Sequence, residues 1–446
     1  MRAGRFKTLR RAAQHEALKL PAASQSAPPA ARDPALAGRF GPRILALADQ
    51  LAALSESRDG LTCTYLADAH RATAAQLCEW MREAGMASDI DAVGNVVGRY
   101  AGPQPAGPTL IVGSHYDTVR NAGKYDGRLG ILVAIAVIDD LNRARHRLPF
   151  TIEVIGFAEE EGVRFSSAYL GSSAVAGRFD LQALQARDAS GVTLQAAMRG
   201  AGLDPDAIPR LTRDPKALLG YVEVHIEQGP VLLQEGLPLG IVSSIAGALR
   251  LAISIRGEAG HAGTVPMPMR HDAAAAAAEI VLLVERRCAA VPDLVGTVGM
   301  LSVPDGVPNV IPGQCEFSID MRSPDEASLR AAVADVMAEI GRIGARRAAR
   351  IETRELLRTP SVPCSPRLQA QLADAIARCG LPVRTLVSGA GHDAVMFHGL
   401  TEIGMLFVRC GNGGISHSPL ESVSAADADL AARALREFLL HSGTVA

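Results

Sequence analysis

The chain is poor in cysteine for its 446 residues. Cys63, Cys78, Cys288, Cys315, Cys364, Cys379 and Cys410 are scattered and odd in number, and no two form a CxxC pair. That excludes a disulfide framework and a thiolate metal cluster, and it fits a reducing compartment. No apolar run is long enough to cross a membrane. Net charge is only −2, so no excess of either sign points to nucleic acid or to a membrane surface. There is no internal repeat. Arg10 and Arg11 are not followed by the apolar segment of a secretory signal.

What is present is an ordinary globular composition, 48% hydrophobic and 21% charged. The length is too great for one ordinary core, so two domains are expected. Residues 1–20 carry six basic residues and one acid, and 21–37 are rich in Ala, Pro and Ser. Residues 1–40 are therefore expected to form a disordered tail, and the protein is expected to be cytoplasmic.

From about residue 40 the pattern is that of a folded α/β chain. Helical apolar spacing marks 42–55, 72–85 and 130–144, and β-branched apolar stretches mark strands at 95–100, 109–114, 151–157 and 221–229. Strands alternating with helices predict a mostly parallel sheet with helices on both faces. Ligands of such sheets sit at the carboxyl ends of strands. Between 246 and 357 the order changes to β-α-β-β-α-β, the ferredoxin-like α+β pattern, with strands at 248–257, 296–303, 314–323 and 350–356. This predicts an inserted domain at 246–357. The first domain then comprises 41–245 and 358–446, with a further helix at 366–379 and a strand at 401–409.

The segment FAEEEGVRF (157–165) follows a buried strand and places Glu159, Glu160 and Glu161 side by side. Unpaired buried carboxylates are costly, so this is either a solvated loop or a place that holds positive charge. GSHYDTVRNAGKYDG (113–127) puts His115 at another strand end, with Asp117 and Asp126 after it. Imidazole and carboxylate together suit Zn²⁺ or Mn²⁺, and Asp117 is well spaced to hold the second ring nitrogen of His115. An HxD pair by itself is a weak signal and fits a purely structural role better than a ligand role. His225 in VEVHIEQG and His417 in the glycine-rich GNGGISHSPLES add two more imidazoles near strand ends. Together, His115, Asp126, Glu161, His225 and His417 are enough for two divalent ions sharing one carboxylate. One glutamate would remain for proton transfer to water. His15, His70, His146 and His441 lack such context and read as surface or packing residues.

These segments, with GEAGHAGTVPM, PNVIPGQCEFSIDMR, SGAGHDA and GISHSPLE, run in order from about residue 90 to the C-terminus. Together they resemble the amidase, hydantoinase and carbamoylase family of binuclear metallohydrolases, which is related to aminoacylases and di-zinc carboxypeptidases. The resemblance implies that His115 and His225 ligate one ion and Glu161 and His417 the other, with Asp126 bridging. It implies Glu160 as general base. His261, Asn309 and Arg322 would bind substrate, and Gln228 and His392 would join the pocket. Arg suits bidentate capture of a carboxylate, and an amide and an imidazole can hold a carbonyl oxygen. The inserted domain would be a lid and a dimerisation unit, and the protein a homodimer.

The implied activity is hydrolysis of a terminal ureido group. Allantoate is expected first, on the strength of GKYDGRLGI and FAEEEGVRFSSAYLGS. N-carbamoyl-L-amino acids are the alternative, favoured by GISHSPLE, with 3-ureidopropionate third. A dinuclear aminopeptidase or dipeptidase, and a non-catalytic binding protein, are more distant readings. Arg322 with Asn309 speaks against the former, and the complete ligand set against the latter.

Overall fold

The computed structural model of the chain describes residues 38–104 and 107–442. Among these, the larger sheet has the strand order Ala87–Ile90, Val96–Tyr100, Thr151–Phe157, Thr109–His115, Leu218–Ile226, Ile403–Val408, Leu239–Ile245 and Val362–Pro363, with Thr385–Ser388 also paired to Leu239–Ile245. The four central strands, from Thr151–Phe157 to Ile403–Val408, are mutually parallel. The flanking pairs are antiparallel, except that Thr385–Ser388 runs parallel to its neighbour. The parallel arrangement expected from the sequence thus holds at the centre and gives way toward the edges.

The central strands are buried along their whole length, as their near-continuous apolar runs require. Alternate side chains enter two separate cores. Leu110 and Val112 pack with the helices Gly41–Ala52, Asp68–Glu83, Arg128–Arg143, Pro366–Arg378 and Ala425–His441. Ile111, Ile155, Phe157 and Tyr221 face the other way, against Val175, Leu232 and Phe397 of short helices. Both faces are covered, one by long helices and the other by short ones. Among the elements not assigned from the sequence are the strand Leu239–Ile245 and the helix Ala425–His441. The helix begins where the Ser424 side chain accepts the Asp427 N–H, an ordinary N-cap.

Of the expected tail, residues 1–37 lie outside the described residues, and so does His15. Gly38 and Phe40 are anchored: their N–H groups donate to the Asp429 carboxylate at 3.0 and 2.8 Å, and the Phe40 ring is buried. The folded chain therefore starts slightly before the expected boundary.

A second, antiparallel sheet has the order Leu301–Ser302, Gln314–Ser323, Gly247–Arg256, Arg350–Thr359. The helices Ala273–Ala289 and Glu326–Arg346 cover one of its faces over a separate core. The strand expected at 296–303 is broken in two. Thr297 pairs with Asp320 but Leu301 with Phe317, so four steps on one strand face three on the other. One residue is extra, as in a bulge, and the Met300 N–H turns to the Ser318 hydroxyl instead. A two-stranded arm, Gly260–His261 with Val310–Ile311, projects from this unit.

Candidate metal centre

The parallel register brings the first two histidines together. Val112 pairs with Val222, and three residues further along each strand come His115 and His225. Their Nε2 atoms lie 3.5 Å apart. The Nδ1 atom of His115 is bonded to the Asp117 carbonyl at 3.2 Å, and that of His225 to the Ile226 carbonyl at 2.9 Å. A carbonyl only accepts, so both rings carry the proton on Nδ1 and turn Nε2 lone pairs toward one point.

Asp126 sits at that point. Its Oδ1 is 3.3 Å from His225 Nε2 and 3.8 Å from His115 Nε2, and is buried without any hydrogen-bond donor. Its Oδ2 faces the opposite way, 3.1 Å from His417 Nε2, which is itself 3.3 Å from Glu161 Oε1. The two groups, His115–Asp126–His225 and Asp126–Glu161–His417, share one carboxylate and each have ligand atoms close enough to meet on one cation. A buried acceptor facing two imidazole lone pairs is what a divalent cation requires and what a hydrogen-bonded core does not produce.

The turn after Phe157 is held from below. The Asp117 carboxylate accepts the N–H groups of Glu160 and Glu161 at 3.0 and 3.1 Å. Its Oδ1 is also 3.4 Å from His115 Nδ1. One side chain thereby orients a histidine and the carboxylate turn together. His417 comes from the loop after Ile403–Val408, where a Cβ on Gly414 would stand 2.1 Å from the Gly229 carbonyl oxygen. Only glycine allows that approach, and it sets His417 beside Gln228. The Gln228 amide donates to Asp126 Oδ2 at 2.9 Å.

The electrostatics reflect several acidic and imidazole groups close together, most of them buried. The bonds to Asp126 and Glu161 push His417 up to about 10. Burial holds His225 down, to about 4. Burial opposes the charged form of His115 too, but Asp117, Glu160 and Asp126 outweigh it and raise its pKa well above the ordinary imidazole value. Burial raises Glu160 well above the carboxylate range, and Glu161 and Asp393 reinforce this against the pull of His115. The carboxylates here call for positive charge, which divalent ions supply.

Glu160, Glu161, Gln228 and Arg322 line one cavity of about 260 Å³ with the three histidines His115, His225 and His417. Arg322 comes from the second sheet. Its Nε donates to Asp320 Oδ1 at 2.8 Å and its Nη1 to the Gly389 carbonyl at 2.8 Å, so the guanidinium is held rigidly at the wall. Arg250 shares Asp320 with it. Three of the residues expected in the pocket are not on its wall. His392 is buried, with Nε2 2.7 Å from the Ser388 hydroxyl, and its ring stands edge-on to that of His225. It packs against His225 and lies behind the cavity wall, not on it. His261 and Asn309 lie exposed on the projecting arm, joined by the bond from Ala262 N–H to the Asn309 carbonyl.

Sequence reasoning passed over several partners. Ser416 donates to both Asp126 Oδ2 and Glu421 Oε2 at 2.9 Å, although only one acceptor can take its proton at a time. Glu421 in turn accepts the N–H groups of Tyr125 and Asp126. Asp320, Arg250 and Tyr169 were likewise missed. Glu421 follows His417 by four residues in a segment already singled out, so that spacing was the available signal.

The model of peptidase family M20/M25/M40 matches residues 111–441. The chain belongs to that family. Within it, the chain falls in the amidase, hydantoinase and carbamoylase branch. It is 39% identical over 422 residues to an allantoate deiminase of Arabidopsis thaliana, covering 87% of this chain and 80% of the relative. It is 41% identical over 364 residues to an N-carbamoyl-L-amino acid amidohydrolase of Geobacillus stearothermophilus, covering 80% and 88%. A solved hydantoinase/carbamoylase-family amidase from Burkholderia multivorans superposes with a TM-score of 0.85 at 32% identity, covering 90% of this chain and 97% of the other.

Proposed function

We propose that this protein is a metal-dependent amidohydrolase that cleaves a terminal ureido group, converting allantoate to ureidoglycine, ammonia and carbon dioxide. One observation carries the reading: a single cavity joins the histidine–carboxylate cluster and Glu160 to the guanidinium of Arg322. A ureido acid has a carboxylate for one end and a hydrolysable carbamoyl group for the other.

His115, His225 and Asp126 Oδ1 would hold one divalent ion, and His417, Glu161 and Asp126 Oδ2 the other, as Zn²⁺ or Mn²⁺. When bound, such ions lower the pKa of water so that hydroxide forms near neutral pH. Glu160 takes the proton of the attacking water on its carboxylate. Hydroxide adds to the carbamoyl carbon, and Glu160 delivers the proton to the leaving nitrogen. Arg322 pairs with the substrate carboxylate, its orientation already set by Asp320. Holding both ends places the carbamoyl carbon near Glu160 and removes the entropic cost of finding it.

Residues 246–357 act as a lid and as the surface through which two copies associate. Support comes from the apolar side chains this unit exposes, among them Met300 at 72% and Leu301 at 59%. His261 and Asn309 lie off the cavity of their own chain, and a second copy would bring them to it. The seven cysteines are free and buried, which fits the cytoplasm. Among the described residues no helix is long and apolar enough to cross a membrane.

The test is ammonia release from allantoate, N-carbamoyl-L-amino acids and 3-ureidopropionate, with protein reloaded separately with Mn²⁺ and Zn²⁺. Metal-dependent turnover of allantoate well above the rest is expected. Turnover of only a carbamoyl amino acid would keep the chemistry and replace the substrate. Hydrolysis of dipeptides alone would overturn the reading.

A further inference from the structure

Tyr169 stands in the cavity wall between the two ends of the site. It follows the carboxylate turn, and its N–H returns to the Glu160 carbonyl at 3.2 Å. Its backbone is left-handed, at φ 60° and ψ 25°, a conformation that disfavours bulky side chains. Burial raises the phenol pKa, the charges of Glu160, Asp393 and Glu161 raise it further, and Arg322 opposes them. The side chain thus lies within the fields of both the base and the carboxylate clamp, and it remains a neutral O–H donor.

The hydroxyl has no hydrogen-bond partner among the described residues. It is nonetheless closely positioned, because a Cβ on Gly391, another residue of the wall, would stand 2.0 Å from it. A donor fixed in a substrate cavity and left unpaired by the protein is available to the substrate. On the ureido-acid reading, the substrate carbon between the carboxylate and the reacting ureido nitrogen lies in the cavity that Tyr169 lines with Arg322 and Glu160. That carbon's remaining substituent is what distinguishes the candidate substrates. In allantoate it is a second ureido group, with a carbonyl acceptor. In the N-carbamoyl derivative of an aliphatic amino acid it is a hydrocarbon.

We propose that the Tyr169 hydroxyl is a specificity determinant that donates a hydrogen bond to an acceptor on this third substituent. The inference rests on the ureido-acid reading of the site. A site built to pair with a polar group discriminates against the analogue lacking it, because its own donor is then buried and unpaired.

The experiment compares kcat/KM of the metal-loaded full chain and its Tyr169→Phe variant on allantoate, N-carbamoyl-L-asparagine and N-carbamoyl-L-leucine. The last two differ little in size but only the first of them offers an acceptor. In the variant, allantoate and the asparagine derivative are expected to fall about tenfold while the leucine derivative stays within about twofold. Gly391→Ala, whose methyl displaces the phenol, is expected to reproduce the selectivity if Tyr169→Phe fails to fold. An equal loss on all three substrates, or none, overturns the proposal. If wild type ignores allantoate but the asparagine–leucine contrast behaves as described, the choice of substrate fails and the role of Tyr169 stands.

Discussion

The Glu421 carboxylate accepts the backbone N–H of Asp126 at 3.1 Å, across 295 residues of sequence. It also accepts the Tyr125 N–H at 2.8 Å and the Ser416 hydroxyl at 2.9 Å. The residue shared by the two ligand groups is therefore positioned by one that belongs to neither. Glu421→Ala is expected to weaken metal binding about 10- to 100-fold, the usual effect of losing such a support. Titration with a competing chelator measures it. An unchanged affinity would show that the loop holds Asp126 by other means.

Glu160→Gln removes the proton acceptor while keeping the shape of the turn, whose N–H bonds to Asp117 come from the backbone. A loss of about 10²- to 10⁴-fold in kcat is expected, with metal content unchanged by elemental analysis. A variant that loses metal as well would place Glu160 among the ligands.

Removing the ions should lower thermal stability as well as activity. Ions that bind only the folded chain stabilise it by about 2.7 kcal/mol at a free concentration of a hundred times Kd. Calorimetry of chelated protein with increasing Mn²⁺ or Zn²⁺ is expected to show Tm rising with concentration. A flat response would mean that the cluster does not bind the metal added.

His70 gives a pH dependence independent of the metal. Burial lowers its pKa from 6.5 to about 4, opposed by its bond to the Ala158 carbonyl. The unfolded chain therefore takes up a proton near pH 6.5 that the native chain refuses. The stability from neutral His70 is fully present above that pH and is lost as pH falls from 6.5 toward 4. The difference amounts to roughly 3 kcal/mol. His70→Gln should flatten this acid limb in urea titrations at pH 7 and pH 4.5. Parallel losses in the two proteins would assign the acid sensitivity elsewhere.

If His261 acts on a neighbouring chain, His261→Ala and Arg322→Ala should complement each other. Each variant alone is expected to be nearly inactive. Random re-association of equal amounts should restore about a quarter of wild-type activity, because half the dimers are mixed and each holds one intact site. Mixtures as inactive as their components would put His261 in its own chain's site or outside both.

The sequence made the strand-end residues visible because a strand's end is a local event. His115, Glu160, Glu161 and His225 each follow a short apolar run, and the parallel register then brings them together. Residues acting through long-range contacts were not visible in that way. Nothing near Glu421 says that it will hold the Asp126 N–H, and nothing near Asp320 says that it will hold Arg250, 70 residues earlier. The position of His392 off the cavity wall was not visible for a related reason. A motif gives a position along the chain, whereas the direction of the side chain depends on Ser388 and His225 packed around it. The break in the strand near Gly299 depends likewise on its pairing partner, since the extra residue exists only relative to Gln314–Ser323.

The order of the ligand residues also bears on how the protein matures. His115, Asp126 and His225 have all been synthesised by the middle of the chain, and they make up one of the two groups. The other group lacks His417 until long after His225 has been made. The strand Ile403–Val408, which lies against the strand carrying His225, arrives equally late. A ribosome-bound chain can thus gather the first group while the sheet beside it is still open. The two ligand groups are consequently completed at well-separated stages of synthesis.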